Sequence, residues 1–404
     1  MKLAILTQYY PPEIGAPQRR LSSLVQHALR AGHEVQVLTA MPNYPLGRVH
    51  PGYEGVFRRE TLDGAAVLRT FIYPTQHTDF PRRLANYFSF VLSSAAIGTV
   101  ELEPPDYLMV ESPPLFLGLS GIWLSRLKRA RLIFNVSDLW PETAVRLGVV
   151  RAGSAVHRVS EWLEGLCYRK AWLVTGQSRE IVSSIATRFP SSRTYRLSNG
   201  VECDSFGERF ATPEARAALG GGECIALYAG LHGIAQGLPQ LLDAADAMRD
   251  ERGPDFVLLG EGPVKADLVR SARERELERV RFLDARPAAE LPPLLASADI
   301  LIVPLGVGIP GAVPSKLYEA MASGKPVVMV ATGEPASIVA EHRAGLVVAP
   351  NDIRGLVQAL RMLRDDPALR AELGANGRCA AERYYDRAAI AGEFLAMLAA
   401  EPSA

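Results

Sequence analysis

The stretch "CIALYAGLHGIAQGLPQLLDAADAM", residues 224–248, decides the architecture. It reads as a short buried strand (224–230), a loop holding Gly230, Gly233 and Gly237, and then a helix. A strand that passes through glycines into a helix start is the entry to a parallel α/β unit. Glycines there let a ligand approach backbone N–H groups, and the helix start favours an anion. Forward of this stretch the alternation continues through "FVLLGEGP" (256–263), "VRFLDA" (280–285), "DILIVPL" (299–305), "KPVVMVAT" (325–332) and "AGLVVAP" (344–350). Behind it, the same alternation runs through "KLAILTQ" (2–8), "EVQVLTA" (34–40), "GAAVLRT" (64–70), "YLMVES" (107–112), "RLIFNVSD" (131–138) and "WLVTGQS" (172–178). The first helix, 16–33, places Leu21, Leu24, Val25, Ala28 and Leu29 on one face.

Between the two series lies the polar, turn-rich "SNGVECDSFG" (198–207). The pattern therefore predicts an α/β chain of two doubly wound, Rossmann-like domains facing a cleft. The first is expected over 1–205 and the second over 206–385, with a last helix (386–404) packing back onto the first. A chain of 404 residues suits two domains of roughly 200. Lys plus Arg equals Asp plus Glu at 44 each, so net charge offers no argument for a nucleic-acid partner. Cys167, Cys203, Cys224 and Cys379 form no C-x-x-C pair and suit neither a zinc site nor a disulfide framework. They read as scattered thiols in a reducing compartment. The N-terminus reads as a first strand and not as a signal peptide, and no apolar run is long enough to cross a membrane.

In such sheets ligands gather beyond the carboxyl ends of the strands, so the loops there carry the candidate residues. After the first strand, Gly15 precedes a helix and marks either a turn or an anion site. Arg19 and Arg20 read as solvated helix arginines. After "RLIFNVS", Asp138 sits at a strand end where an acid can face the cleft, while Glu142 suits a first-turn helix carboxylate. In the second half His232 is either a donor to an anion or a solvated loop histidine, and Glu261 lies in a tight turn between two glycines. The loop "GVGIPGAVP" enters a helix near Ser315, with Lys316 in its first turn and Glu319 about one turn on. A first-turn lysine opposes the helix dipole, which points to an anion nearby.

Taken together, "PSKLYEAMASGKPVV", "YAGLHGIAQGL", "LLGEGP", "SNGVECDSF" and the N-terminal "LTQYYPPEIGAPQRRLSSLVQHALRAGHEVQVLTAMPNYP" resemble the retaining glycosyltransferases of family 4, with the GT-B fold. The resemblance runs over nearly the whole chain and looks closest to the bacterial L-fucosaminyltransferase branch of O-antigen and capsule assembly. It implies a nucleotide-sugar donor held by the second domain and no obligatory metal or cofactor. Glu319 matches the ribose-binding second glutamate of a Glu-x7-Glu motif, and Gly15 matches the glycine loop near the donor phosphates. The set Gly230, His232, Gln236, Glu261, Gly311, Ser315, Leu317 and Glu319 is expected to contact the donor, partly through backbone amides at 311–317. Three positions depart from the family. Its first motif glutamate falls on Gly311, its phosphate-binding arginine and lysine fall on Leu231 and Gln236, and its N-domain histidine falls on Ser137, beside Asp138. Lys316 is the natural replacement cation, so Asp138 and Lys316 are the expected catalytic residues.

The expected reaction moves a hexosamine-type sugar, for example N-acetyl-fucosamine, from UDP to a polyprenyl-diphosphate-linked saccharide. Asn43, Tyr44, Arg48 and His50, in "MPNYPLGRVHPGY" (41–53), are expected either to touch the acceptor or to form a structural loop. In "FPRRLANYFSFVLSSAAIGTVEL" (80–102), a helix places Leu84, Tyr87, Phe88, Val91 and Leu92 on one face behind Arg82 and Arg83. The resemblance favours an anionic membrane surface for that face, on the cytoplasmic side of the plasma membrane, over an ordinary core helix. The rival readings are a nucleotide-sugar epimerase or hydrolase on the same fold, and a binding protein without catalysis.

Overall fold

The computed structural model describes residues 1–75, 80–306 and 308–401, with the backbone alone at 80 and 81. Val307 of the glycine-rich loop, and 402–404 of the last expected helix, lie outside the described residues.

The chain forms two compact units, one of Met1–Asn199 with Ala388–Ala404 and one of Gly200–Arg387. The dividing point near 205 expected from composition thus falls inside the second unit. Eight strands build the first sheet: β1 (Lys2–Thr7), β2 (Glu34–Ala40), β3 (Phe57–Leu62), β4 (Ala65–Thr70), β5 (Tyr107–Ser112), β6 (Arg131–Val136), β7 (Leu173–Gly176) and β8 (Thr194–Arg196). Their order is β3-β4-β2-β1-β5-β6-β7-β8. All pairs are parallel except β3 with β4. That antiparallel edge pair departs from the all-parallel sheet expected. Strand β3, "FRRETL", is polar on its solvent side and lacks the continuous apolar run that marks a strand buried on both faces. The turn at Asp63 and Gly64 joins it to β4 with positive φ at both residues, the geometry of a tight hairpin.

Six strands build the second sheet: β9 (Ile225–Ala229), β10 (Asp255–Leu259), β11 (Val280–Leu283), β12 (Ile300–Pro304), β13 (Val327–Val330) and β14 (Gly345–Val348). Their order is β11-β10-β9-β12-β13-β14, all parallel. Each sheet has one switch point, where the chain leaves the central strand first to one side and later to the other. In the first sheet it lies between β1 and β5, and in the second between β9 and β12. Neighbouring loops diverge there, which leaves a crevice at the carboxyl ends.

The cores follow from the period of each element. Strands β1, β5 and β9 are buried almost throughout, as parallel strands covered on both faces must be. The last helix, Arg387–Ala399, lays Ala391, Phe394, Leu395 and Leu398 against Leu3, Ile5, Val37, Tyr107 and Ile133 of the first unit. The Tyr107 hydroxyl donates to the Leu398 carbonyl at 2.8 Å, which fixes the helix's height on the sheet. Among the described residues no helix is long and apolar enough to cross a membrane.

Phe394 is fully buried in this seam. Replacing it with alanine removes most of a large side chain from a packed core, so Phe394→Ala should cost the first unit about 3–5 kcal/mol. Urea unfolding followed by probes in each unit checks this, and the transition of the second unit should not move.

Candidate functional site

In the second unit, two glycine loops meet backbone to backbone. Gly260 and Gly262 have φ of 146° and 157°. A Cβ on Gly260 would lie 1.8 Å from the Gly230 carbonyl oxygen, and one on Gly262 would lie 2.3 Å from the His232 carbonyl oxygen. Only glycine fits. The His232 N–H donates to the Glu261 carbonyl at 2.8 Å, and the Val264 N–H donates to the His232 carbonyl at 3.1 Å. The loops after β9 and β10 are therefore one laced structure.

Lys316 enters this structure from the helix Ser315–Ala322, which begins at the switch point beside β12. Its side chain lies across Gly230, where a Cβ would come 2.0 Å from Lys316 Cε. Its Nζ donates to the Tyr228 hydroxyl at 2.8 Å and stands 4.6 Å from the centre of that ring. Burial pulls the ammonium down to about 8, against the opposing pull of Glu319. This is not a solvated surface ion pair.

Other expected donor residues divide. Glu319 and Ser315 are half-exposed on the same helix. Gln236 closes over Gly233, where a Cβ would meet its Oε1 at 2.5 Å. Gly311 is buried with φ of 70°, so the family's glutamate at this position would need a left-handed backbone. Glu261 is held by Lys265, whose Nζ bonds it at 2.6 Å and Asp284 at 2.7 Å. Neither Lys265 nor Asp284 was singled out from the sequence. Leu317 is a correction. Its side chain is fully buried in the core and its N–H donates to the Pro314 carbonyl at 3.0 Å. It lies on the inward stripe of the helix and offers a ligand nothing. His232 is a second correction to the loop-histidine reading. It is fully buried between Tyr228 and Phe282, with ring centres 5.7 and 6.4 Å away. Neither ring nitrogen has a partner among the described residues. Burial, with Lys265 as the next cause, holds its pKa below the usual value, so the ring stays neutral.

In the first unit a buried polar network joins the first helix to the carboxyl ends of β5, β6 and β7 and to the segment after β8. Arg20 was read as solvated, yet it is 7% exposed. Its Nη2 donates to Glu111 Oε1 at 2.6 Å and to Ser137 Oγ at 2.9 Å, and its Nη1 donates to Asn199 Oδ1 at 3.2 Å. Asn135 donates to the other Glu111 oxygen at 2.6 Å and accepts from Thr175 at 2.6 Å. Five segments are thus joined by one network, in which Arg20 donates three hydrogen bonds and Glu111 accepts three. Asp138 stands beside them, half-buried at the end of β6. Burial first, and Glu111 second, push its carboxyl up to about 6, with Arg20 opposing. Glu142 pairs with Arg146 at 3.1 Å as a helix-surface acid.

Two expected features of this unit change. Gly15 has extended φ, and the Gln18 carboxamide occupies the space beside it, 2.4 Å from where a Cβ would be. The anion expected at this helix start would have to displace Gln18. Asn43 is 5% exposed and turns its Nδ2 inward to the Met41 carbonyl at 2.9 Å, so its side chain is structural. Tyr44 and Arg48 are exposed, and Tyr44 meets Tyr9 edge to face at 5.7 Å. What positions this loop is Glu13, a residue the sequence did not flag. Its Oε1 accepts from the N–H groups of Asn43 and Tyr44, each at 2.8 Å, and its Oε2 accepts from the Tyr10 N–H at 3.2 Å. Along 80–102, Phe88 and Tyr87 pack on Phe116 at 4.9 and 6.3 Å, and Val91 is buried. Arg82, Arg83 and Leu92 are exposed. The single apolar face expected there is split between core and solvent.

Family models cover both units. The Glycosyl transferase 4-like domain matches residues 15–200, and Glycosyl transferases group 1 matches residues 213–379. The chain belongs to this family of glycosyltransferases. The glycosyltransferase is 27% identical to the putative colanic acid biosynthesis glycosyl transferase WcaI of Escherichia coli K12, over 98% of this chain and 99% of that one. It is 30% identical to the sulfoquinovosyl transferase SQD2 of Arabidopsis thaliana, over 92% of this chain and 68% of that one. Among solved structures, sucrose-phosphate synthase from Thermosynechococcus elongatus superposes with a TM-score of 0.76 at 20% identity, covering 99% of both chains. Anabaena HepE in complex with UDP superposes with a TM-score of 0.72 at 19% identity, covering 99% of this chain and all of that one. These two likenesses establish the GT-B fold.

Glu13 supplies a prediction. Glu13→Ala leaves three amides without an acceptor and should destabilise the glycosyltransferase by about 2–4 kcal/mol. Glu13→Gln keeps one oxygen and should cost less than half of that. Calorimetric unfolding of the three proteins checks the ranking.

Proposed function

We propose that this glycosyltransferase moves a hexosamine-type sugar, of the N-acetyl-fucosamine kind, from a UDP-sugar to a lipid-linked saccharide during surface polysaccharide synthesis. Transfer proceeds with retention and without a metal. The observation that carries this reading is Lys316, half-buried and lying across Gly230 with no carboxylate at ion-pair distance among the described residues. A partly desolvated cation without a close ionic partner is favoured by an anion that completes it. A leaving diphosphate is such an anion, and its developing charge is what Lys316 would stabilise. Glu319 holds the ribose, and Gly230, Ser315 and the backbone from 311 face the sugar and phosphates. UDP is favoured because HepE is seen with it, and a surface polysaccharide because WcaI is named for one.

In the first unit, Asp138 orients the acceptor hydroxyl, and the Tyr44–Arg48 loop contacts the saccharide. Arg82 and Arg83, with the exposed Leu92, face anionic headgroups on the inner side of the plasma membrane. On this reading the enzyme works in the cytoplasm as a peripheral protein.

Transfer assays with UDP-sugars and a polyprenyl-diphosphate-linked acceptor in anionic vesicles test the reading. UDP binding with no product from any acceptor would leave a binding protein instead, and turnover without an acceptor would leave an epimerase or hydrolase. The pH profile is specific. Asp138 is ionised above about 6 and Lys316 charged below about 8, so kcat/KM should rise through the first value and fall through the second. Asp138→Asn should remove the acid limb. Lys316→Met should remove the alkaline limb and lower kcat by more than about tenfold.

A further inference from the structure

The Lys316 ammonium is held by one atom, and that atom has a second task. The Tyr228 hydroxyl accepts from Lys316 Nζ and itself donates to the Leu231 carbonyl. Tyr228 is the fourth residue of β9, 1% exposed, and Leu231 lies in the loop that follows. The hydroxyl proton is committed to the carbonyl, so an oxygen lone pair must face the lysine. At 2.8 Å from the hydroxyl oxygen and 4.6 Å from the ring centre, the ammonium lies on the hydroxyl side of the ring, so the oxygen and not the ring face is its contact. Burial drives the phenol well above its ordinary range, so Tyr228 stays neutral and never supplies the counter-charge. A neutral partner aims the cation without quenching it.

The surrounding charges are otherwise spent. Lys265 is neutralised by Glu261 and Asp284. His232, on the other side of Tyr228, is neutral. Glu319 acts on Lys316 from the same helix. Arg378, from the helix Pro367–Tyr384 packed behind, reaches the Ala322 carbonyl at the helix's far end. Strands β12 and β13 bring only apolar side chains and Pro304.

We propose that Tyr228 is a positioning residue: its hydroxyl, pinned by the Leu231 carbonyl, holds the Lys316 ammonium over Gly230 in the orientation that receives a nucleoside diphosphate. The proposal rests on the donor-site reading above. It also explains how Leu231 can occupy the place of a family cation, since that residue contributes its carbonyl to aiming the cation and its side chain plays no part.

The test is UDP affinity by titration calorimetry between about pH 7 and 9, for the wild type, Tyr228→Phe and Lys316→Met, with uridine as a phosphate-free control. Wild-type affinity for UDP should fall as pH rises through about 8, where Lys316 loses its proton. Tyr228→Phe keeps the ring but loses the acceptor, so the ammonium is less stabilised and the fall should come about one pH unit lower. Near pH 8 the variant should bind UDP several-fold to about tenfold more weakly, and near pH 7 the gap should narrow. Lys316→Met should be about tenfold weaker at neutral pH and flat across the range. Uridine should distinguish none of the three. A Tyr228→Phe midpoint equal to the wild type's, whether affinity is unchanged or uniformly reduced, overturns the positioning role and leaves the donor site standing. UDP binding that Lys316→Met does not weaken at any pH overturns the donor-cation reading itself. Should Tyr228→Phe unfold, NMR of the wild type replaces it: the Tyr228 hydroxyl proton must be protected from exchange and close to the Lys316 ammonium with and without UDP, and an unprotected or distant hydroxyl overturns the positioning role, whereas a Lys316 pKa that UDP does not raise overturns the donor-cation reading.

Discussion

Each unit hangs on one parallel strand hydrogen-bonded on both sides. Strand β1 pairs with β2 and β5, and β9 pairs with β10 and β12. Such a strand is covered above and below by helices, so it must be apolar along its length and can meet ligands only at its carboxyl end. Everything chemical in this chain follows from that restriction. The polar residues that matter gather at the carboxyl ends of the strands: in their last positions, as with Tyr228, Glu111 and Asn135, in the loops that follow, or in the first turns of the next helix.

The two units handle buried charge in opposite ways. In the first, Arg20 is matched by the carboxylate of Glu111 and by neutral acceptors, which makes the network a tie between segments. Asp138 beside it holds its proton late chiefly because it is buried, with Glu111 adding to the effect and Arg20 opposing it. In the second, Lys316 is hydrogen-bonded by a phenol and feels Glu319 from its own helix, with no carboxylate at ion-pair distance among the described residues. The contrast is between a cation tied to a carboxylate on the helix after β1 and one tied to a phenol on the helix after β12.

Strand positions and the two-unit plan were legible because parallel strands announce themselves as short apolar runs between turn residues. Gly230 was legible as a close approach, and Gly260 and Gly262 as a tight turn, though what they approach was not: at Gly230 it is a lysine, and at Gly260 another backbone. Strand β3 was not legible, since an edge strand that faces solvent lacks the apolar run. Arg20, Glu13 and Asn43 were misjudged or missed because burial of a polar side chain depends on partners far away in sequence, 91 residues away for Arg20 and Glu111. Helical spacing correctly grouped Lys316 with Glu319 but could not say that Leu317 between them points into the core. For His232, two orphan nitrogens only become visible once the rings on either side are placed.

The last helix adds a constraint in time. Leu3, Ile5 and Tyr107 belong to the first part of the chain to leave the ribosome, while Phe394 and Leu398, which cover them, come among the last. During synthesis the first sheet therefore waits, one apolar flank open, while almost two hundred further residues are made and the second unit can already close on itself. A nascent chain in that condition is a natural client for a chaperone, and a premature stop anywhere after the second unit would leave a sheet that is fully paired but permanently uncovered.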